Sequence, residues 1–239
     1  MKNDQLAPLL SFSPYGIGVA VGFFVIFVAA WADMESSAYD FPRLANAGLD
    51  GLQCPVLMTP NETSTISLDV ANTTGNRISP SIKTQISTRR VPEQFLEDIQ
   101  LTPGESKRLE WPVDAENIDM GYFIFAKVLL FSAYPLPARE ATCGIFIMNL
   151  PGSGRMIVPV LVVLSLISMG WGLHRINRLS ASNARLRKHR GSMIFLAIMI
   201  SFGLLLSFTG GWILSVLVLV VTLLLIIILL SSLLADKPG

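Results

Sequence analysis

Two hydrophobic patterns divide the chain. Between residues 54 and 148, short segments alternate apolar and polar side chains at every second position. Ile66, Leu68 and Val70 alternate in one segment, and Ile82, Thr84 and Ile86 in the next. Ile99 and Leu101 precede a Pro103-Gly104 turn, and Leu109, Trp111 and Val113 alternate after it. Residues 122–131 read as a strongly apolar strand and residues 143–148 as the last one. Period-two runs separated by Asn, Gly and Pro turns predict an antiparallel β-sandwich, and about 95 residues with roughly seven strands has immunoglobulin size. Residues 35–53 show no clear period and read as a loop with a short helix.

Outside this region lie four apolar runs without a single charge, at residues 16–32, 156–173, 192–208 and 212–234. At about 1.5 Å per residue the first just spans a bilayer core of about 30 Å, with Tyr15 and Trp31 suited to its interfaces. The predicted fold class is therefore a membrane protein with four transmembrane helices plus an all-β immunoglobulin-like sandwich. The expected organisation is a tail and first helix (1–33), the sandwich (34–153), a second helix (154–174), a basic loop (175–191), and a hairpin of helices three and four with a short tail (192–239). Residues 151–154 (Pro-Gly-Ser-Gly) read as a hinge, and 209–211 (Thr-Gly-Gly) as a tight turn.

Charge sets the orientation. Arg175, Arg178, Arg185, Arg187, Lys188 and Arg190 fall in one short segment without a carboxylate, and cations flanking spans stay on the cytoplasmic side. Fixing this loop inside puts both termini in the cytoplasm and the sandwich outside, in a multi-pass cell-membrane protein. Between residues 33 and 140 there are 15 acidic and 9 basic residues, a net charge near −6, so the overall +1 conceals two regions of opposite sign. A competing reading takes residues 1–32 as a signal peptide, because Ala30-Trp31-Ala32 before Asp33 matches a small-x-small cleavage pattern. The leading segment is long and its one cation, Lys2, is offset by Asp4, which favours a retained helix.

The only two cysteines, Cys54 and Cys143, lie at the ends of the exported region and are expected to form a disulfide; two buried thiols are the alternative. Gly18 and Gly22 form a G-x-x-x-G that admits close helix packing, although ordinary transmembrane glycine content accounts for it equally. Asn61-Glu62-Thr63 and Asn72-Thr73-Thr74 are N-glycosylation triplets. Asp119-Met120-Gly121-Tyr122 reads either as a tyrosine corner or as a plain strand start.

Several short motifs resemble one family. The run Val70-Ala71-Asn72-Thr73-Thr74-Gly75-Asn76, then Leu101-Thr102-Pro103-Gly104-Glu105-Ser106, then Trp111 and Gly121-Tyr122, is similar to the CARDB and NEW3 group of bacterial and archaeal immunoglobulin-like domains. The resemblance covers residues 54–148. It implies a fold and a habit of protein or glycan contact, and it brings no catalytic residues.

The search for chemistry returns little. There is no C-x-x-C, G-x-S-x-G, phosphate loop or H-E-x-x-H. His174 and His189 have no ligand partners at fixed spacing and read as solvated loop residues; Glu97-Asp98 reads as a solvated turn. The spans lack ionisable groups, which argues against transport or proton relay. The expectation is a non-enzymatic accessory or scaffold subunit of a larger membrane complex, without cofactor or metal. Its partners would be other membrane subunits and, at the basic loop, anionic lipid headgroups rather than nucleic acid. The alternative is a surface recognition or adhesion protein whose sandwich binds a glycan or protein through loops such as 89–97.

Overall fold

The computed structural model describes residues 6–39, 41–131, 134–180, 184–208 and 211–235. They fall into two compact units, Met1–Phe27 with Ile157–Gly239, and Val28–Met156. The elements are α1 (Leu6–Ala38), β1 (Ala47–Gly48), β2 (Leu52–Gln53), β3 (Leu57–Met58), β4 (Ser64–Ala71), β5 (Ser81–Ile86), β6 (Glu93–Asp98), β7 (Ser106–Val113), β8 (Phe123–Phe131), β9 (Arg139–Ile147), α2 (Gly154–Ser180), α3 (Ala184–Leu206) and α4 (Trp212–Ala235). All four α-helices are long and apolar enough to cross a membrane.

In the helical unit, small residues let backbones meet. A Cβ on Gly18 would lie 2.6 Å from the Met169 backbone N of α2, and one on Gly22 would lie 2.5 Å from the Ile200 side chain of α3. The G-x-x-x-G face is thus occupied by helices of the same chain. Short polar side chains add bonds at these contacts. Ser165 Oγ donates to Gly18 O (2.7 Å), Ser168 Oγ to Pro14 O (2.6 Å), and the buried Tyr15 hydroxyl to Met193 O (2.8 Å). Large apolar side chains on α2, α3 and α4 point outward: Val160, Ile167, Ile198, Leu205, Leu217 and Ile228 are all exposed.

The second unit is a sandwich of two sheets. One has the order β2-β4-β7; the other runs β1-β9-β8-β5-β6, with β3 also paired to β9. The inner faces meet in a core of Ile66, Leu68, Ile82, Trp111, Ile124 and Ile145, as the period-two pattern requires. The larger sheet is mixed rather than antiparallel, because β1 and β3 run parallel to β9. The chain passes from β1 in the larger sheet to β2 in the smaller one and returns to the larger sheet at β3. At that crossing Cys54 forms the disulfide with Cys143 of β9, closing 89 residues of chain.

Strand β8 is buried on both faces, which is why it reads as a continuous apolar run. Its inner side chains enter the sandwich core. Its outer ones, Phe123 and Phe125, join Phe146, Phe41, Tyr39 and Ala32 in a second cluster. Here α1 extends six residues beyond the apolar run and its last turns lie on the sheet. Gly144 makes this possible: a Cβ there would collide with the Ala32 carbonyl. Ala30 and Ala32 are accordingly buried, so a cleavage site at Ala32 would be covered in the folded unit.

The structure changes two further expectations and decides a third reading that the sequence leaves open. The segment read as a binding loop and turn, 89–98, contains edge strand β6, whose Phe95 packs on the core and whose Glu97 accepts from the Trp111 indole N–H (2.9 Å). The charged pattern E-Q-F-L-E-D hid it, since edge strands carry charge against unwanted pairing. Tyr122 is exposed and follows a tight reversal at Met120 (φ 51°) and Gly121 (φ 79°), so it is a strand start, not a corner. The basic segment is largely helical. Arg175 and Arg178 belong to α2, while Arg185, Arg187, Lys188 and Arg190 belong to α3, as the Arg, Leu and Ala content favours. Residues 209 and 210 of the expected tight turn lie outside the described residues.

Two outcomes follow from this packing. Removing the disulfide by Cys54→Ala with Cys143→Ala lowers the stability of the sandwich by about 2–5 kcal/mol, read from the denaturant midpoint of tryptophan fluorescence. Gly22→Leu forces α1 away from Ile200 and Ser165, and lowers the melting temperature of the detergent-solubilised chain, whereas Gly16→Leu, with nothing near its Cβ, leaves it unchanged.

Candidate functional site

Three clusters of polar side chains stand out against so apolar a chain. The first lies on the outer face of the larger sheet. Lys127 of β8 is only 2% exposed, an expensive place for an ammonium group. Its Nζ reaches Glu140 Oε2 of β9 at 2.9 Å and donates to Pro42 O at 2.5 Å. The same carboxylate oxygen accepts from the backbone N–H groups of Leu44 (2.9 Å) and Ala45 (3.1 Å). Burial opposes ionisation of Glu140, but the Leu44 and Ala45 N–H groups and the Lys127 ammonium outweigh it and hold its pKa below the ordinary 4.5. The pair secures the connector that leaves α1 and enters β1.

Nearby, Asp33 Oδ1 accepts from the Gly144 N–H (3.1 Å), in the stretch of β9 covered by neither β1 nor β3. The Tyr39 hydroxyl donates to Asp119 Oδ2 (2.5 Å), and the Trp31 indole packs edge-on to Phe123 at 5.5 Å. These side chains fasten the end of α1 to the sheet.

The second cluster centres on Glu62. Its carboxylate accepts from Thr59 N (3.1 Å), Gly154 N (2.7 Å), Arg155 N (3.4 Å) and the Ser153 hydroxyl. Burial again opposes ionisation, and these donors outweigh it, so the Glu62 pKa is also lowered. A carboxylate at the first, otherwise unsatisfied N–H groups of α2 is a helix cap, helped by the helix dipole. Within the sandwich unit, residues 153–155 are thus bonded to the loop that carries Glu62.

The third cluster is the basic segment. Arg175, Arg178, Arg187, Lys188 and Arg190 are exposed, and the Arg175 guanidinium stacks on Trp171 at 5.6 Å. The Arg185 side chain lies outside the described residues. His174 is exposed, whereas His189 is buried on α3, not solvated. Between α2 and α3 runs an open groove of about 440 Å³, lined by residues such as Leu166, Gly170, Leu173, Ile194, Ile198 and Phe202.

Of the glycosylation triplets, Asn61 is exposed, but Asn72 is buried. Its Nδ2 donates to Asn76 O and Leu101 O, and its Oδ1 accepts from Thr74 N. Asn72 thus ties two loops of the sandwich together and offers no free amide. No group of three or more His, Cys, Asp or Glu with metal-binding geometry occurs among the described residues. Sequence reasoning missed Lys127, Glu140 and Glu62. A lysine and an acid inside apolar strands were the available signal for the first two.

No family model matches the chain, and neither does any curated protein. Solved structures are similar at a low level. A cycloisomaltooligosaccharide glucanotransferase from Paenibacillus sp. is 12% identical with a TM-score of 0.35, over 45% of this chain and 15% of its own. A β-glucuronidase from Bacteroides uniformis is 15% identical with a TM-score of 0.33, over 43% and 14%. A CARDB domain from Pyrococcus furiosus, solved with di-metal ions, is 15% identical with a TM-score of 0.32, over 46% of this chain and 99% of its own. The chain thus spans about 15% of the glucanotransferase's length. Likeness at this level bears on neither activity nor ligand.

Because Glu62 and Glu140 have lowered pKa values, the folded chain holds them ionised while the unfolded chain protonates near 4.5. Their contribution is complete above that value and is lost as pH falls through the folded values. Melting temperature should drop on acidification below about pH 4.5, and less steeply in Glu62→Gln than in wild type. Glu140→Gln leaves Lys127 buried without its counter-charge and costs about 3 kcal/mol, whereas Lys127→Met with Glu140→Leu recovers most of that loss in denaturant titrations.

Proposed function

We propose that the chain is a multi-pass membrane protein with an extracytoplasmic, CARDB- or NEW3-like immunoglobulin sandwich, acting as a non-enzymatic accessory subunit of a larger membrane complex. In this reading the four apolar helices cross the bilayer, the basic ends of α2 and α3 face the cytoplasm with both termini, and the disulfide lies outside, where oxidation is favoured. The sheet order, with β4 and β7 in one sheet and β9, β8, β5 and β6 in the other, supports the immunoglobulin comparison.

The observation that carries the subunit reading is where the buried polar groups are used. Lys127, Glu140 and Asp33 hold chain segments to the sheet, and Tyr15, Ser165 and Ser168 hold helix to helix. Each is committed to a structural contact. What this leaves for interaction is surface: the apolar helix faces within the bilayer and the sandwich outside it.

A second reading, recognition of a glycan or protein by the sandwich, is favoured by edge strand β6. Among the described residues it pairs only with β5, and Val91 and Leu96 beside and on it are 71% and 68% exposed. An open edge with apolar side chains suits strand addition by an extended peptide.

Gentle detergent extraction followed by a native gel and mass spectrometry separates the two. The subunit reading expects stoichiometric membrane partners; migration alone sinks it and shifts the search to ligands of the sandwich. For topology, a cysteine introduced at the exposed Asn61 should react with an impermeant maleimide on intact cells, and one at Arg190 should react only after permeabilisation. Reversed labelling would overturn the orientation.

A further inference from the structure

We propose that the groove between α2 and α3 holds one phospholipid with an anionic headgroup. Its acyl chain would lie along the groove and its phosphate on Arg187 and Arg190. The inference rests on the membrane reading above and adds a ligand and a site to it.

On α3 the groove is lined by Ile194, Ile198, Phe202 and Leu205, spaced at three to four residues, so one stripe of the helix faces it. Continuing that stripe toward the helix start by four and seven residues reaches Arg190 and Arg187. Both are exposed. An apolar trough therefore runs into two cations on one helix face, the charge pattern of an acyl chain joined to an anionic headgroup. Neither property alone selects this ligand. A bare groove accepts any apolar segment, and a bare cation pair accepts any anion.

On the α2 side the floor is open at Gly170, where a Cβ would meet nothing within 4 Å. Leu166 and Leu173 flank it on the same face, so the missing side chain leaves a notch along the groove. The other α2 cations lie elsewhere. Arg175 stacks on Trp171, and both it and Arg178 project from a part of the helix surface away from the Leu166-Gly170-Leu173 stripe. That distinction separates a built site from general attraction of the basic segment to the surface: only Arg187 and Arg190 continue the groove.

The test uses the full chain in dodecyl maltoside, offered equal amounts of phosphatidylglycerol and phosphatidylcholine with identical acyl chains, and read by native mass spectrometry. The expected result is a single phosphatidylglycerol adduct favoured by about 30-fold, the equivalent of roughly 1 kcal/mol for each of two cations. Arg187→Gln with Arg190→Gln should bring the two lipids close to parity. Gly170→Leu fills open space, should leave the melting temperature unchanged, and should remove the adduct of either lipid. Arg175→Gln with Arg178→Gln should preserve the preference. Equal binding of both lipids to wild type, a preference that survives loss of Arg187 and Arg190, or one that follows Arg175 and Arg178 overturns the site. If the double arginine variant does not accumulate, Gly170→Leu decides, and an unaltered adduct there overturns the site as well. Alkaline carbonate extraction separates this from the membrane reading: release without detergent defeats that reading, whereas a retained protein without a selective adduct defeats only the lipid site.

Discussion

Strand β8 must be covered on both sides. Its inner side chains, with those of β5 and β9, meet the opposite sheet across the sandwich. Its outer ones, Phe123 and Phe125, would otherwise leave an aromatic surface in water. The end of α1 and the following connector supply that second cover. Their fit depends on one missing side chain, Gly144, where the helix backbone at Ala32 comes against the strand. The rest of this face is arranged around that contact. Asp33 completes the hydrogen bonding of β9 there, Tyr39 and Phe41 extend the aromatic layer, and Lys127 with Glu140 fixes the chain that follows.

The buried Lys127–Glu140 pair shows how an ion pair can serve geometry. Transferring both charges from water is costly, and the pair alone does not repay it. Glu140, however, also receives two backbone N–H groups, and Lys127 also reaches a carbonyl, so the connector's own polar groups are satisfied in the same network. Glu62 uses the same device at the start of α2, where a loop carboxylate answers N–H groups that no helix can satisfy internally. In a chain with few charged residues outside its surface, these acids are where loops and helix ends acquire definite positions.

The helical unit follows a different rule. Small residues and short hydroxyls, with Gly18, Gly22, Ser165 and Ser168 at the contacts, bring backbones close around buried Ile26, Ile200 and Leu204, while many further large apolar side chains face outward. Such an apolar exterior suits an apolar solvent, since outward leucines cost nothing there and close backbone approach supplies attraction between helices. It supports the proposed bilayer setting, and the Gly18/Gly22 face is occupied by the chain's own helices.

Local periodicity alone was enough to identify the four long apolar helices, the strands β4, β5, β7 and β8, and the cysteine pair, because each depends on side-chain spacing or on there being only two thiols. The tertiary structure decided the rest. It made the sheet mixed, since β1 and β3 are two-residue strands whose direction comes from the partner β9 and not from any pattern of their own. It turned residues 93–98 into an edge strand, because the charges that protect an edge look like those of a loop. It carried α1 past its apolar run to Ala38 and the basic segment into helix, since helix ends there are set by packing and capping rather than by hydropathy. It also brought Lys127 to Glu140 across the β8–β9 pair, and Glu62 to Gly154 over a chain separation at which no sequence spacing carries information. Spacing along the chain reports what each segment can bury, and only the folded contacts determine which distant groups neutralise one another.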